Sequence, residues 1–160
     1  SYSQQAQGVC VFDLDRTLVG VRDKDLSRAA VKACEDMGFK LAINTTTPSG
    51  LCSLMRFLHG MEGAGLHYGK NVPNDMWMCR GWNFRGKKAK TENMRTAMDF
   101  YNTTKECMVL YDVNAKDVRY VNHAGFQAIR VNHDKQGISA AESAAGLAML
   151  KGCFGCVSTE

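Results

Sequence analysis

Short apolar segments that end in polar residues constrain the fold of this chain more than any other feature. Gly8–Phe12 is apolar throughout and is followed by Asp13, as expected of a strand buried on both faces of a sheet. Further strands are predicted at 39–43, 107–111 and 126–131. Helical spacing of apolar residues predicts helices at 24–37, 48–60, 91–103, 115–123 and 139–150. Strands that alternate with helices predict an α/β fold with a mostly parallel central sheet covered on both faces.

Polar side chains follow three of the predicted strands. They are Asp13, Thr45 and Asp112. Ligands of parallel α/β sheets bind at the carboxyl ends of the strands, near a topological switch point. The three side chains are therefore expected to converge on one site.

Asp13 and Asp15 flank Leu14 directly after the first strand. Two carboxylates in one pocket repel each other unless a cation or a shared proton is present. Mg²⁺, a hard cation that prefers oxygen ligands, suits such a pair. An Asp-x-Asp sequence on its own more often caps a turn or a helix, so the later motifs decide between the two interpretations.

The segment from Val11 to Leu18, with Asp13, Asp15 and Thr17, resembles the first motif of the haloacid dehalogenase (HAD) superfamily. The resemblance implies that Asp13 is a nucleophile that forms an aspartyl-phosphate. It implies that Asp15 is the general acid and then the base, and that its backbone carbonyl binds Mg²⁺. An acid at position 15 favours phosphatase or phosphomutase chemistry.

The second and third HAD motifs have counterparts later in the chain. Thr45 matches the threonine that hydrogen-bonds a phosphate oxygen, and Thr46 is the alternative. The motif lysine balances the charge of the nucleophile and the phosphate. Lys90 fits this position best, ahead of Lys88 and Lys87.

The fourth motif corresponds to Asp112 and Asp117, which follow the third predicted strand. The resemblance makes Asp112 the third Mg²⁺ ligand beside Asp13 and Asp15. Asp117 would support Lys90 or the metal. Many HAD proteins carry a second acid where this chain has Val113, so either Asp112 alone supplies the ligand or the metal site is weakened.

The whole resemblance implies a single domain over residues 1–160, a HAD-like Rossmannoid three-layer α/β/α sandwich with flexible termini. The spacing leaves no room for a cap domain after either motif, only for an irregular loop or small hairpin at about 61–90. An open site admits large or exposed substrates, or is closed by a second subunit of a homo-oligomer.

The irregular segment carries a loop, Trp77–Lys88, in which aromatic residues alternate with cations. Such a surface can stack bases and bind phosphates, or it can bind a phosphopeptide. The alternative is that Trp77 and Trp82 pack on the sheet edge while the cations remain solvated.

The chain has seven cysteines and no apparent secretion signal. The odd number predicts reduced thiols and a cytoplasmic location rather than a disulfide framework. Cys153 and Cys156 are interpreted as two thiols of a flexible tail, with half a zinc site or a redox pair as alternatives. The sequence contains no apolar run of the length that a membrane span needs, so no membrane partner is expected.

These features together predict a Mg²⁺-dependent phosphomonoester hydrolase. The predicted partner is a phosphorylated substrate, either a small molecule, a phosphoprotein or a nucleic-acid end. One alternative is a HAD-like binding or structural module whose catalysis is weakened by Val113. The other is a nucleic-acid end-processing phosphatase that uses the Trp77–Lys88 loop.

Overall fold

Four parallel strands form the centre of the molecule. The computed structural model describes residues 5–45 and 88–155. The strands are β1 (Val9–Phe12), β2 (Lys40–Ile43), β3 (Met108–Asp112) and β4 (Gln127–Arg130). They pair in the order β2-β1-β3-β4, and all three pairings are parallel.

Four helices accompany the strands in the described ranges. They are α1 (Lys24–Asp36), α2 (Ala89–Phe100), α3 (Ala115–His123) and α4 (Ala140–Met149), and a single 3₁₀ turn, Lys105–Cys107, precedes β3. None of these helices is both long and apolar enough to cross a membrane.

Side-chain caps define where three of the helices begin. Asp23 accepts hydrogen bonds from backbone N–H groups of the first turn of α1, and Asn114 does the same for α3. Ser139 and Glu142 form a capping box on α4. Such caps satisfy N–H groups that the helix itself leaves unpaired.

The element boundaries agree with the sequence predictions to within a few residues, and α3 has the predicted bounds. The largest differences are in α2, which begins at Ala89 rather than Thr91 and ends at Phe100 rather than Thr103. The predicted irregular segment is therefore wrong for residues 89 and 90. The rest of that segment, the predicted helix at 48–60 and both chain ends beyond 5 and 155 lie outside the described residues.

Apolar side chains form one cluster on each face of the sheet. Cys10, Phe12 and Tyr111 point toward α1 and α4. Val9 and Val11 point toward α2 and α3 on the other face. The arrangement confirms the predicted three-layer α/β/α sandwich, because successive residues of a strand face opposite sides.

The order in which strands are added to the sheet changes direction at β1. It first places β2 on one side of β1 and later returns to place β3 on the other side. Phe12 is level with Tyr111, so the residues that follow β1 and the last residue of β3 meet at the same edge. This is the switch point at which ligands bind in open α/β sheets.

Cysteine pairing differs from the prediction. Cys107 is bonded to Cys153, with Cα atoms 5.7 Å apart, and Cys10 is paired with Cys34, with Cα atoms 6.4 Å apart. The prediction of reduced thiols is therefore wrong for these four residues. The pairs are far apart in sequence and are brought together only when α1 packs on β1 and the C-terminal segment returns to β3. Cys156 lies outside the described residues.

Candidate active site

Lys90 lies between two aspartates at the carboxyl edge of the sheet. Its Nζ is 2.5 Å from Oδ1 of Asp13 and 3.2 Å from Oδ2 of Asp112. The exposed fractions are 8% for Asp13, 2% for Lys90 and 0% for Asp112. Three charges are thus held together in a site almost closed to bulk water, where electrostatic interactions are strong.

Burial and neighbouring charges set the protonation of these groups. Burial alone would lower the pKa of Lys90, but the charges of Asp13 and Asp112 outweigh it and raise this pKa above its usual value. Burial raises the pKa of Asp112 to about 7, although Lys90 opposes the shift. Lys90 is therefore a fixed cation, while Asp112 changes charge near neutral pH.

The loop after β1 fixes the other oxygen of Asp13. The Thr17 hydroxyl donates to Oδ2 of Asp13 at 3.0 Å. Ser27 on α1 donates in turn to the Thr17 carbonyl at 2.6 Å. Asp13 therefore has one oxygen bound to a cation and the other to a hydroxyl group.

Asp15 lies in a tight turn of the same loop. Arg16 has a φ of 62°, an uncommon conformation for a residue with a side chain, and its N–H donates to the Val19 carbonyl at 2.7 Å. Asp15 is half-buried. Asp15 therefore lies at the same edge of the sheet as Asp13.

A loop leads from Asp112 into α3. Oδ1 of Asp112 accepts a hydrogen bond from the Asn114 N–H at 2.9 Å. Val113 is buried in the cluster beneath α1 and α4, so it packs in the core. Asp117, in the first turn of α3, is half-buried, and its charge helps to raise the pKa of Lys90.

The remaining predicted site residues differ in their surroundings. Thr45 follows β2 and is almost fully buried, with its carbonyl 3.5 Å from the Asn93 amide nitrogen. Lys88 is exposed at the residue before α2, unlike Lys90. Thr46, Lys87 and the rest of the Trp77–Lys88 loop lie outside the described residues.

Sequence reasoning did not identify two buried asparagines beside Lys90. Asn44 directly follows β2, and its side chain and carbonyl both contact Lys90. Asn93 on α2 donates to the side chain of Asn44. A polar residue inside the otherwise buried face of a predicted helix is the signal that could have drawn attention to Asn93.

The residues at this edge suit a divalent cation. Oδ2 of Asp112 is fully buried and accepts no well-directed hydrogen bond from any residue in 5–45 or 88–155; Lys90 faces it only as an ion-pair partner. Within the same ranges, no three acidic, histidine or cysteine side chains surround one point. A Mg²⁺ site would thus combine Asp13 and Asp112 with a backbone oxygen, for which the HAD resemblance names the Asp15 carbonyl.

Comparisons with known proteins address the fold. No protein-family model matches the sequence, and no curated protein matches it either. The structure is similar to that of an uncharacterised Corynebacterium glutamicum protein, with a TM-score of 0.62 and 19% sequence identity. The similarity covers 92% of this chain and 96% of that one.

Two further solved structures are phosphatases by name. The core domain of a candidate phosphoglycolate phosphatase from Streptococcus pneumoniae has a TM-score of 0.58 and 16% identity, covering 89% of this chain and 96% of that one. The N-terminal part of a Bacteroides fragilis protein contains a phosphatase domain complexed with Mg. It has a TM-score of 0.58 and 15% identity, and the match covers 94% of this chain but only 42% of that one.

The agreement in architecture covers most of this chain, and two of the three solved structures described above carry phosphatase names. At these identities the likeness concerns the fold. The chain therefore has the HAD-like α/β fold that the motif around Asp13 implied.

Proposed function

We propose that this protein is a Mg²⁺-dependent phosphomonoester hydrolase that acts through an aspartyl-phosphate on Asp13. The observation that carries the proposal is the buried group of Asp13, Lys90 and Asp112 at the switch point of the sheet. The phosphatase names of two structures with the same fold support it.

In the first step the Asp13 carboxylate attacks the phosphorus atom of the substrate. A bond forms between the Asp13 oxygen and phosphorus, and the bond from phosphorus to the ester oxygen breaks. Asp15 donates a proton to the departing oxygen, which leaves as an alcohol. Lys90 stabilises the negative charge of the phosphoryl group as it approaches a carboxylate.

In the second step water attacks the phosphorus of the aspartyl-phosphate. Asp15, now ionised, accepts the proton of that water. The bond between phosphorus and the Asp13 oxygen breaks. Inorganic phosphate is released, and the Asp13 carboxylate is regenerated. Thr45 would donate a hydrogen bond to a phosphate oxygen in both steps.

Asp13, Asp112 and the Asp15 carbonyl would hold Mg²⁺, which when bound neutralises phosphate charge and so permits attack by an anion. Without Mg²⁺, Lys90 alone balances the negative charges of Asp13 and Asp112 in the described part of the site. Asp117 would support Lys90 through its charge.

The substrate class follows from the lack of room for a cap domain in the sequence. We propose a phosphorylated substrate that is large or exposed, such as a phosphoprotein or a nucleic-acid end, with a small phosphomonoester as the alternative. A second subunit could close the site in a homo-oligomer.

The test is release of phosphate from an aryl phosphate by purified protein, with Mg²⁺ and with EDTA. Asp13→Asn and Asp15→Asn should each abolish release. Asp99→Asn is the matched control, because Asp99 is exposed on α2, nine residues and therefore about 13 Å along the helix from Lys90. An Asp15→Asn protein with full activity would rule out this mechanism.

The second candidate function is a HAD-like binding module without catalysis. The observation that favours it is Val113, which packs in the core and supplies no ligand next to Asp112. Calorimetric titration with Mg²⁺ distinguishes the two functions. The enzyme should bind the cation and lose this binding in Asp112→Asn, whereas a module of this kind need not bind it.

A further inference from the structure

Two buried asparagines lie beside Lys90, one in contact with it and one in contact with the first, and the mechanism above assigns them no part. Asn44 directly follows β2, and Asn93 lies on α2 one turn after Lys90. Neither residue exposes any surface.

All four polar groups of Asn44 have partners. Its N–H donates to the Phe12 carbonyl at 2.8 Å, and its carbonyl accepts from Nζ of Lys90 at 2.6 Å. Its side-chain amide donates to the Lys90 carbonyl at 2.9 Å. Its side-chain oxygen accepts from the Asn93 amide at 2.8 Å. Asn44 therefore binds both ends of Lys90, the backbone and the ammonium.

These contacts restrict the orientation of the ammonium group. A lysine ammonium has three N–H groups. Two of them donate to Asp13 and to the Asn44 carbonyl, and Asp112 lies beside the ammonium as an ion-pair partner. A long lysine side chain otherwise has considerable rotamer freedom. Fixing both of its ends removes that freedom before any substrate binds.

Stability alone does not account for this arrangement. Burying two amides costs free energy that their hydrogen bonds only offset. Further along α2, Met94 and Ala97 pack on the sheet through apolar contacts instead. Lys90 also lies in the first turn of α2, where the helix dipole disfavours a cation. The two asparagines lie instead beside a buried cation, Lys90, where hydrogen bonds can hold the ammonium group in place.

We propose that Asn44 and Asn93 are positioning residues that hold the Lys90 ammonium between Asp13 and Asp112. Asn44 contacts Lys90 directly, and Asn93 acts through Asn44. The effect on turnover rests on the proposed phosphohydrolase function, whereas the effect on the orientation of Lys90 does not.

The kinetic test compares Asn93→Ala, Asn44→Ala and the double variant. Each single variant should lower kcat by about tenfold to a hundredfold, because a misplacement of about 1 Å can cost that much. KM should change less than kcat. The double variant should fall no further than Asn44→Ala, since Asn93 acts through Asn44.

Two further variants distinguish an effect on the position of Lys90 from a general loss of folded structure. Asn93→Leu keeps the number and branching of the side-chain heavy atoms but cannot donate a hydrogen bond, so it should behave like Asn93→Ala. Ser143→Ala removes a buried polar group from α4, on the opposite face of the sheet, and should leave kcat unchanged. Additive losses in the double variant would overturn the proposed relation between the two asparagines.

The second readout needs no activity. In ¹⁵N-lysine-labelled protein the Lys90 ammonium should give a resonance protected from exchange with water, assigned by its loss in Lys90→Arg. That protection should be lost in Asn93→Ala and Asn44→Ala and retained in Ser143→Ala. Unchanged protection in both asparagine variants would overturn the proposal. An inactive wild-type protein would count against the phosphohydrolase function alone, because the resonance still reports the orientation of Lys90.

Discussion

The two ends of the parallel sheet are built from different interactions. At the carboxyl end, Asp13, Lys90 and Asp112 form a buried group of charges. At the amino end, Phe154 pairs with the backbone of Ala6 and Gly8, and the half-buried Lys105 donates to the Ala124 carbonyl.

The amino end also carries the bond between Cys107 and Cys153 and the hydrogen bond from the Thr103 hydroxyl to the Gln7 carbonyl, at 2.5 Å. Such contacts hold the ends of the chain to the sheet without burying charge. Buried charges are poor contributors to stability, because desolvation offsets their attraction. The difference indicates that the amino end serves the fold. The buried charges of the carboxyl end cost stability, and a catalytic role would explain why they are there.

The largest expected effect is that of Lys90→Met at the carboxyl end. Two buried carboxylates would then lack their cation, so the free energy of unfolding at pH 7 should fall by about 3–5 kcal/mol. Phosphatase activity should fall by about a hundredfold to a thousandfold. Denaturant unfolding and phosphate release measure the two effects. Lys88→Met is the control, since Lys88 is exposed, and an equal loss in that variant would contradict the prediction.

The matching change at the amino end is Cys107→Ser. The bond closes a loop with a sequence separation of 46 residues, for which the loss of chain entropy predicts a contribution of about 4 kcal/mol. The free energy of unfolding should fall by up to this amount while activity at a permissive temperature is retained. Cys153→Ser should give the same value, because both variants remove one bond. A loss of phosphatase activity in Cys107→Ser protein that is still folded would contradict the view that the amino end serves the fold alone.

The third prediction concerns pH, measured without divalent cations. The pKa of Asp112 is about 7 in the folded protein and about 4 when unfolded. Because the folded value is raised, the folded state holds the proton more tightly. The contribution of Asp112 to the free energy of unfolding is therefore fully present below about pH 4 and is lost as the pH rises through 7.

The size of this pH effect should be a few kcal/mol, since each pKa unit corresponds to about 1.4 kcal/mol. Denaturant unfolding at a series of pH values measures it. Asp112→Asn should lose most of the slope between pH 4 and 7, and Asp99→Asn should keep it. An unchanged slope in Asp112→Asn would show that another group at the carboxyl end titrates.

The smallest expected effect is that of Gly146→Ala in α4. Glycine to alanine inside a helix usually stabilises, but here a Cβ would overlap the hydroxyl of Tyr111. That hydroxyl donates to the Ser143 carbonyl at 3.0 Å. Thermal unfolding should show a loss of about 1–3 kcal/mol, and Tyr111→Phe should relieve part of it. A gain in stability would contradict the packing described for this helix.

Local sequence patterns predicted most of the secondary structure. Continuous apolar runs identified the buried strands, and the spacing of apolar residues identified the four helices of residues 5–45 and 88–155 to within a few residues. Asp23, Asn114 and Ser139 have the side chains that favour a helix start. The start of α2 was placed two residues late, because Lys88 provides no side-chain cap there.

The sequence by itself determined the α/β class and the set of acids at strand ends, since both depend on residues that are neighbours in the chain. The motif resemblance ranked Lys90 ahead of Lys88, but only the tertiary structure shows that Lys90 meets Asp13, that Asn44 contacts Lys90 and that Asn93 contacts Asn44. The two cysteine pairs were decided in the same way. These contacts join residues 24 to 77 positions apart. Their geometry depends on how α1, α2 and the C-terminal segment pack against the sheet, which no local pattern encodes.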